Sequence, residues 1–172
     1  VLGILTSADI MLAYNRKLSQ IKFGKETPET LPEDRSVLQK INLTEILEED
    51  LLTMEPDQTL GQLVKAITRS KRNLFPVVDK HGKYVGIILL NDVRQIMFDM
   101  DKYEKIRVKD IMTQSPALVS IDEPMNRVME KFEKTRAWNL PVIDRNHHYI
   151  GIVSKSTIFS KYRSQLLSQA EI

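Results

Sequence analysis

Apolar residues in this chain recur in two periods. In "NLFPVVDKHGKYVGIILLND", Asn73 to Asp92, Phe75–Val78 and Tyr84–Leu90 are apolar runs around the turn signal "KHGK", which predicts a β-hairpin. "NLPVIDRNHHYIGIVSKST", Asn139 to Thr157, predicts a second hairpin. Upstream of each hairpin the period changes. Leu60, Leu63, Val64 and Ile67 fall at helical spacing, as do Met125, Val128, Met129 and Phe132, so each set lines one face of a helix. Thr59 and Asp122 are the expected N-caps, because their side-chain oxygens can accept from free backbone N–H groups. A helical turn ("TEIL" or "VKDIM") and a brief strand ("LLTM" or "ALVSI") precede each helix, and a further helix begins near Asn91 or Ser154. The predicted unit is β-α-β-β-α, an α/β (α+β) class in which helices cover strands apolar on both faces.

The unit occurs twice without a gap. A shift of 65 residues places Pro76 on Pro141, Asp79 on Asp144, Tyr84 on Tyr149, Gly86 on Gly151, Asp57 on Asp122 and Leu60 on Met125. One copy of about 60 residues makes a poor core, so the two are expected to pack as a pseudo-twofold pair. The expected divisions are a first repeat over 41–102, a second over 103–167 and a tail over 168–172. Residues 19–40, with "GKETPETLPEDR", are expected to form a linker. Residues 1–18, "LGILTSADIMLAY" among them, align with the end of each unit if Gly3 is set on Gly86 and Gly151. They are either the tail of a third unit or an unrelated strand-helix segment.

Composition narrows the function classes. The 172 residues are 42% hydrophobic and 28% charged, as in a soluble globular protein. A net charge of +2, with scattered Lys and Arg, argues against a nucleic-acid partner. The absence of cysteine excludes disulfides and thiolate metal sites. No apolar run approaches the ~18–20 residues of a membrane span. With no initiator Met, the chain is expected to be part of something longer. The sequence has no phosphate-binding glycine loop, no G-x-S-x-G elbow and no H-E-x-x-H, so no catalytic residue is assigned and no enzyme is expected. His81, His147 and His148 are read as turn residues and no metal site is assigned. Acidic pairs such as Glu48-Glu49 are read as solvated faces.

"LFPVVDKHGKYVGIILLND" and "NLPVIDRNHHYIGIVSKST" resemble the CBS domain over Leu43 to about Arg163, and paired CBS domains form a Bateman module. A narrower likeness, at "RNLFPVVD", "VRQIMFD", "AWNLPVID" and "SKSTIFSKYR", is to the cytoplasmic C-terminal region of bacterial CLC chloride channels and transporters. The resemblance implies a non-catalytic regulatory module on the cytoplasmic face of a larger membrane protein. Its implied partners are its own transmembrane domain and its twin in a homodimer. It requires no cofactor and implies ATP, ADP or AMP as a regulatory ligand. The alternatives are a CBS pair serving a nucleotide-metabolism enzyme and a stand-alone energy sensor.

The implied pocket takes a flat base between Thr53-Met54 and Asn73-Leu74-Phe75-Pro76, or in the second copy between Ala117-Leu118 and Trp138-Asn139-Leu140-Pro141. A carboxylate six residues after the second-strand glycine would take ribose hydroxyls, and a hydroxyl three residues after that glycine would meet phosphate. Neither copy has both. The first keeps Asp92 but has Leu89; the second keeps Ser154 but has Thr157. A hydrogen bond to a charged group is worth roughly 1.5–3 kcal/mol, so at most one site is expected, centred on Asp92. Asp92 can equally balance a helix dipole, and Ser154 can be an ordinary N-cap. Trp138, the single tryptophan, either packs in a core or dimer interface or stacks on a base.

Overall fold

The alternation of the two hairpins is realised as two small antiparallel pairs, each roofed by the amphipathic helix that precedes it. The structure, a computed structural model, describes residues 37–170. Residues 37–40 are helical, followed by α1 (Leu43–Ile46), α2 (Leu60–Arg69), β1 (Leu74–Val78), β2 (Tyr84–Leu89) and α3 (Leu90–Val93). A 3-10 turn (Met100–Lys102) leads to α4 (Val108–Ile111), β3 (Val119–Ser120), α5 (Met125–Thr135), β4 (Asn139–Ile143), β5 (Tyr149–Ser154) and α6 (Lys155–Ala170). The starts of α1, α2, β1 and β2 at 43, 60, 74 and 84 recur at 108, 125, 139 and 149, each 65 residues on.

The caps explain where the helices begin. Thr59 starts α2 with a capping box: the Gln62 N–H donates to Thr59 Oγ1 at 3.2 Å, and the Thr59 N–H donates to Gln62 Oε1 at 2.8 Å. The expectation that Asp122 caps α5 is corrected. The N-cap position is Pro124, which makes no side-chain cap. Asp122 instead receives Arg145 Nε at 2.8 Å. The hairpin turns are built alike. Asp79 Oδ1 accepts from the N–H groups of His81 and Lys83, and Asp144 Oδ1 from those of Asn146 and His148. His147 occupies at φ 66° the left-handed place that Gly82 holds at φ 77°. The ring of His148 lies 3.0 Å from Asp144 Oδ2, and that hydrogen bond chiefly holds the Asp144 carboxyl below its ordinary range.

Each sheet is completed by the other repeat. Met54 runs parallel to Val77, just as β3 runs parallel to β4. On the opposite edge, Thr113 of the second repeat bridges Ile87 of β2, and Glu48 of the first bridges Ile152 of β5. Both are paired backbone hydrogen bonds of 2.8–2.9 Å. The hairpin tips also meet. Tyr84 N–H donates to His147 O at 3.0 Å and Tyr149 N–H to Gly82 O at 2.9 Å. All these contacts interchange under the same 65-residue shift, which defines an approximate twofold between the repeats.

The cores follow the crossing. Ile41, Leu43 and Ile46 are buried with Val128, Phe132, Leu140 and Val153 of the second repeat. Val108 is buried with Leu60, Leu63, Phe75 and Ile88 of the first. Each such side chain contributes roughly 1.5–3 kcal/mol. Val37 is buried at 1% exposure, Leu38 packs against the second core, and residues 37–40 are helical. Residues 168–170, expected as tail, belong to α6. Residues 1–18 and 19–36 lie outside the described residues.

Candidate ligand junctions between the repeats

Where a crossing segment lies along the neighbouring second strand, it brings residues of one repeat against the strand-to-helix corner of the other. There are two such junctions. The first joins Thr113 and its neighbours to the corner of β2 and α3, which carries Leu89 and Asp92. The second joins Glu48 and its neighbours to the corner of β5 and α6, which carries Ser154 and Thr157. The glycines of the motif are the reason the strands can come so close. A Cβ on Gly151 would lie 2.7 Å from the Glu48 carbonyl oxygen and 2.9 Å from Leu47 Cγ. On Gly86 it would lie 3.0 Å from Met112 Sδ and 3.1 Å from the Thr113 carbonyl oxygen.

At the first junction Asp92 is exposed on the first turn of α3, and among the described residues its carboxylate has no partner. Leu89 is 42% exposed. Thr113 Oγ1 is turned back to the Ile87 carbonyl at 3.4 Å, and Gln114 Nε2 donates to the Val85 carbonyl at 2.8 Å. The Leu90 N–H donates to the Asn73 carbonyl at 2.8 Å, which ties the exposed Asn73 to the same corner.

At the second junction the hydroxyls are engaged. Ser154 Oγ accepts from the Thr157 N–H at 3.2 Å and therefore caps α6. Ser154 Oγ and Thr157 Oγ1 are 2.7 Å apart, and each lies 3.2 Å from Glu48 Oε1. Each hydroxyl carries one proton, so one can donate to the carboxylate while receiving from the other. Glu48 Oε2 forms an ion pair with Arg72, whose side chain is half exposed. Glu48 thus joins both repeats and is not the solvated acid expected of the pair Glu48-Glu49; its side chain is only 20% exposed. Local composition could not reveal this, but the 65-residue shift, which sets Glu48 on Thr113, carried a signal. The Lys155 N–H donates to the Trp138 carbonyl at 3.0 Å, and Lys155 Nζ lies 5.6 Å from the centroid of the Trp138 ring. Trp138 is 64% exposed, so it is not a core residue.

The structure divides the other expected site residues by side chain. Met54, Phe75, Pro76, Leu140 and Pro141 are buried, which leaves only their backbone for a ligand. Thr53 is exposed, and Leu74, Ala117, Leu118 and Asn139 are half-buried. Asp92 and Ser154 belong to different junctions. Among the described residues no cluster of three His, Asp or Glu could hold a metal ion. No helix among them is long and apolar enough to cross a membrane.

Comparison with known proteins agrees with this geometry. The family model described as "CBS domain" matches twice, at residues 43–99 and 108–164. Inosine-5'-monophosphate dehydrogenase of Methanocaldococcus jannaschii is 32% identical over 117 residues, which are 68% of this chain and 23% of that enzyme. The chain therefore spans less than a quarter of that relative. Among solved structures, CbpB in complex with c-di-AMP aligns with a TM-score of 0.67 at 16% identity, covering 81% of this chain and 95% of that one. The CBS domain of a bacterial CNNM/CorC-family Mg2+ transporter in complex with ATP aligns with a TM-score of 0.66 at 15% identity, covering 76% and 93%.

Proposed function

The chain belongs to the CBS-domain family, with two copies in tandem, and on that premise we propose that it is a non-catalytic regulatory module binding an adenine nucleotide where its repeats meet. The carrying observation is the crossing of the two lead-in segments. A ligand at either junction touches both repeats at once, so its binding energy depends on how the repeats are set against each other. By linkage, such a ligand shifts an attached domain by its differential affinity for the two settings. The c-di-AMP and ATP bound by neighbours of the same fold support this ligand class. Asp92, exposed and unpartnered among the described residues, is the acceptor for ribose hydroxyls at the first junction, at the corner that the Leu90 N–H ties to the Asn73 carbonyl.

The attached domain, read from the CLC-like wording of the sequence, is a chloride channel or transporter, and the module works on its cytoplasmic side as a homodimer. Phe98 and Met100, 81% and 79% exposed, favour a second copy as neighbour. A second reading, favoured by the dehydrogenase likeness, attaches the module to a nucleotide-metabolism enzyme. Calorimetry with AMP, ADP and ATP tests the shared core of both readings. Heat of binding is expected with at least one of them, and Asp92→Ala should weaken it about tenfold, as for the loss of a charged hydrogen bond. No heat with any of the three at millimolar concentration would overturn the nucleotide reading.

A further inference from the structure

The amphipathic helices of the two repeats bury matching faces and expose unlike ones. The stretch 58–78 contains no Asp or Glu, yet it holds Lys65, Arg69, Lys71 and Arg72, all exposed. Its counterpart in the second repeat, 123–143, holds Glu123, Glu130 and Glu133 among its cations. The shift of 65 sets Lys65 on Glu130 and Arg69 on Lys134. On α5 an acid therefore stands one turn before a base, an order that stabilises a helix, and Glu130 also receives Arg127 Nη1 at 3.2 Å. On α2 two cations stand at the same i,i+4 spacing, and like charges so placed repel.

The surroundings of α2 do not relieve that repulsion. Among the described residues Lys65, Arg69 and Lys71 have no acidic partner, and only Arg72 is paired, with Glu48. The Ser70 N–H donates to the Ala66 and Ile67 carbonyls, and Ser70 Oγ accepts from the Arg72 N–H at 3.0 Å, so Lys71 and Arg72 follow Arg69 in a tight turn. The acids of 99–104 meet α2 at its other end, where the Tyr103 ring lies against Gly61. The helix dipole accounts for a cation in the last turn, Arg69, but not for Lys65 a turn earlier.

The chemistry of the face selects its partner. The exposed residues over 60–72 are Gln62, Lys65, Thr68, Arg69, Lys71 and Arg72, with no aromatic ring on which a base could stack. None is a large apolar residue that would anchor a peptide. A second copy meeting this face about a twofold axis would set the cations against one another. A broad anionic surface, read by charge alone, meets all these conditions. We propose that the exposed face of α2, with Lys65, Arg69, Lys71 and Arg72, docks on anionic phospholipid headgroups, each cation adding roughly fivefold to the affinity. Because α5 is balanced in charge, the contact fixes which repeat turns toward the bilayer. Neither a nucleotide nor an attached domain is needed for it.

Flotation of the whole chain with vesicles of phosphatidylcholine, alone or mixed with an equal part of phosphatidylglycerol, tests the contact. Binding is expected only to the mixed vesicles, and it should be lost at about 1 M salt, where the screening length is roughly 3 Å. Lys65→Gln should weaken it roughly fivefold and Lys65→Glu at least tenfold. Lys65→Glu also places an acid one turn before Arg69, as on α5, so its thermal melt should not fall and its loss of binding is not a loss of fold. Should the melt fall, Lys65→Gln alone decides. Lys134→Gln on α5 should leave binding unchanged. No flotation with the mixed vesicles would overturn the proposal, as would equal losses from Lys65→Gln and Lys134→Gln. Duplex DNA bound more tightly than the mixed vesicles would overturn it in favour of a nucleic-acid partner.

Discussion

A single missing side chain shows how closely the repeats depend on each other. Gly151 and Gly86 have no left-handed φ to explain them; they are needed because a backbone from the other repeat passes over them. At Gly151 the nearest atom is the Glu48 carbonyl oxygen at 2.7 Å, which cannot move without disturbing the Glu48–Ile152 bridge, and Leu47 Cγ lies at 2.9 Å. At Gly86 the first atom met is the flexible Met112 Sδ at 3.0 Å. Gly151→Ala is therefore expected to cost roughly 1–3 kcal/mol, as overpacking does, and Gly86→Ala less. Thermal melts of the two variants side by side check the order, and equal losses would refute it. Thr59 gives a second measure. Its capping box satisfies the Gln62 N–H at the start of α2, so Thr59→Ala should lower stability by about 1 kcal/mol in denaturant titration.

At the scale of elements, the hairpins and amphipathic helices were legible because they are written in local periodicity. Phe75 and Val77 alternate against Gly86 and Ile88 as a two-residue period requires, and Leu60 and Leu63 share a helical face. What could not be read was the partner of a short edge. The turn "LTEI", Leu43–Ile46, precedes the first amphipathic helix in sequence, yet Leu43 and Ile46 complete the second core, and nothing in four residues says which sheet they will cover. Glu48 was misread for the same reason, since an acid looks solvated until its bridge to β5 is known. Asp122 was misread because Pro124 occupies the cap position two residues on. The matched tyrosines show the converse, a pair visible in the sequence whose consequence appears only in three dimensions. The hydroxyl of Tyr149 is buried without a hydrogen-bond partner among the described residues, and that of Tyr84 is buried beside Ser115. Burial pushes Tyr84 up from 10.0 to about 12, against the effect of Ser115, and pushes Tyr149 up as well, with Tyr84 adding to the rise. The folded chain thus holds the phenol proton more tightly than the unfolded one. The stability linked to Tyr84, on the order of 2–3 kcal/mol, is complete below pH 10 and is lost as pH rises toward about 12. Alkaline unfolding followed by circular dichroism should therefore steepen across that window, and Tyr84→Phe with Tyr149→Phe should flatten it. An unchanged profile in the double variant would assign the alkaline transition to other groups.

For the whole molecule, exchanged lead-in segments mean that a boundary drawn between the repeats in sequence does not separate two folding units. Residues 103–170 retain α5, β4 and β5 but lack Ile41, Leu43 and Ile46, which close their core. Residues 37–102 lack Val108, which closes theirs. Three buried side chains at roughly 1.5–3 kcal/mol each are comparable with the 5–15 kcal/mol that holds a domain folded. The 103–170 fragment alone should therefore show no cooperative melt and a weak near-ultraviolet signal. Mixed with 37–102 it should regain both, because the bridges Glu48–Ile152 and Ile87–Thr113 then form between chains. Two fragments that each melt cooperatively alone, unchanged on mixing, would show that the crossings add contacts to repeats already stable, and would remove the reason for a ligand at a junction to affect both. Loss of structure on separation and recovery on mixing would identify the junctions as the places where the stability of the pair is decided, and so where a bound nucleotide has most influence on it.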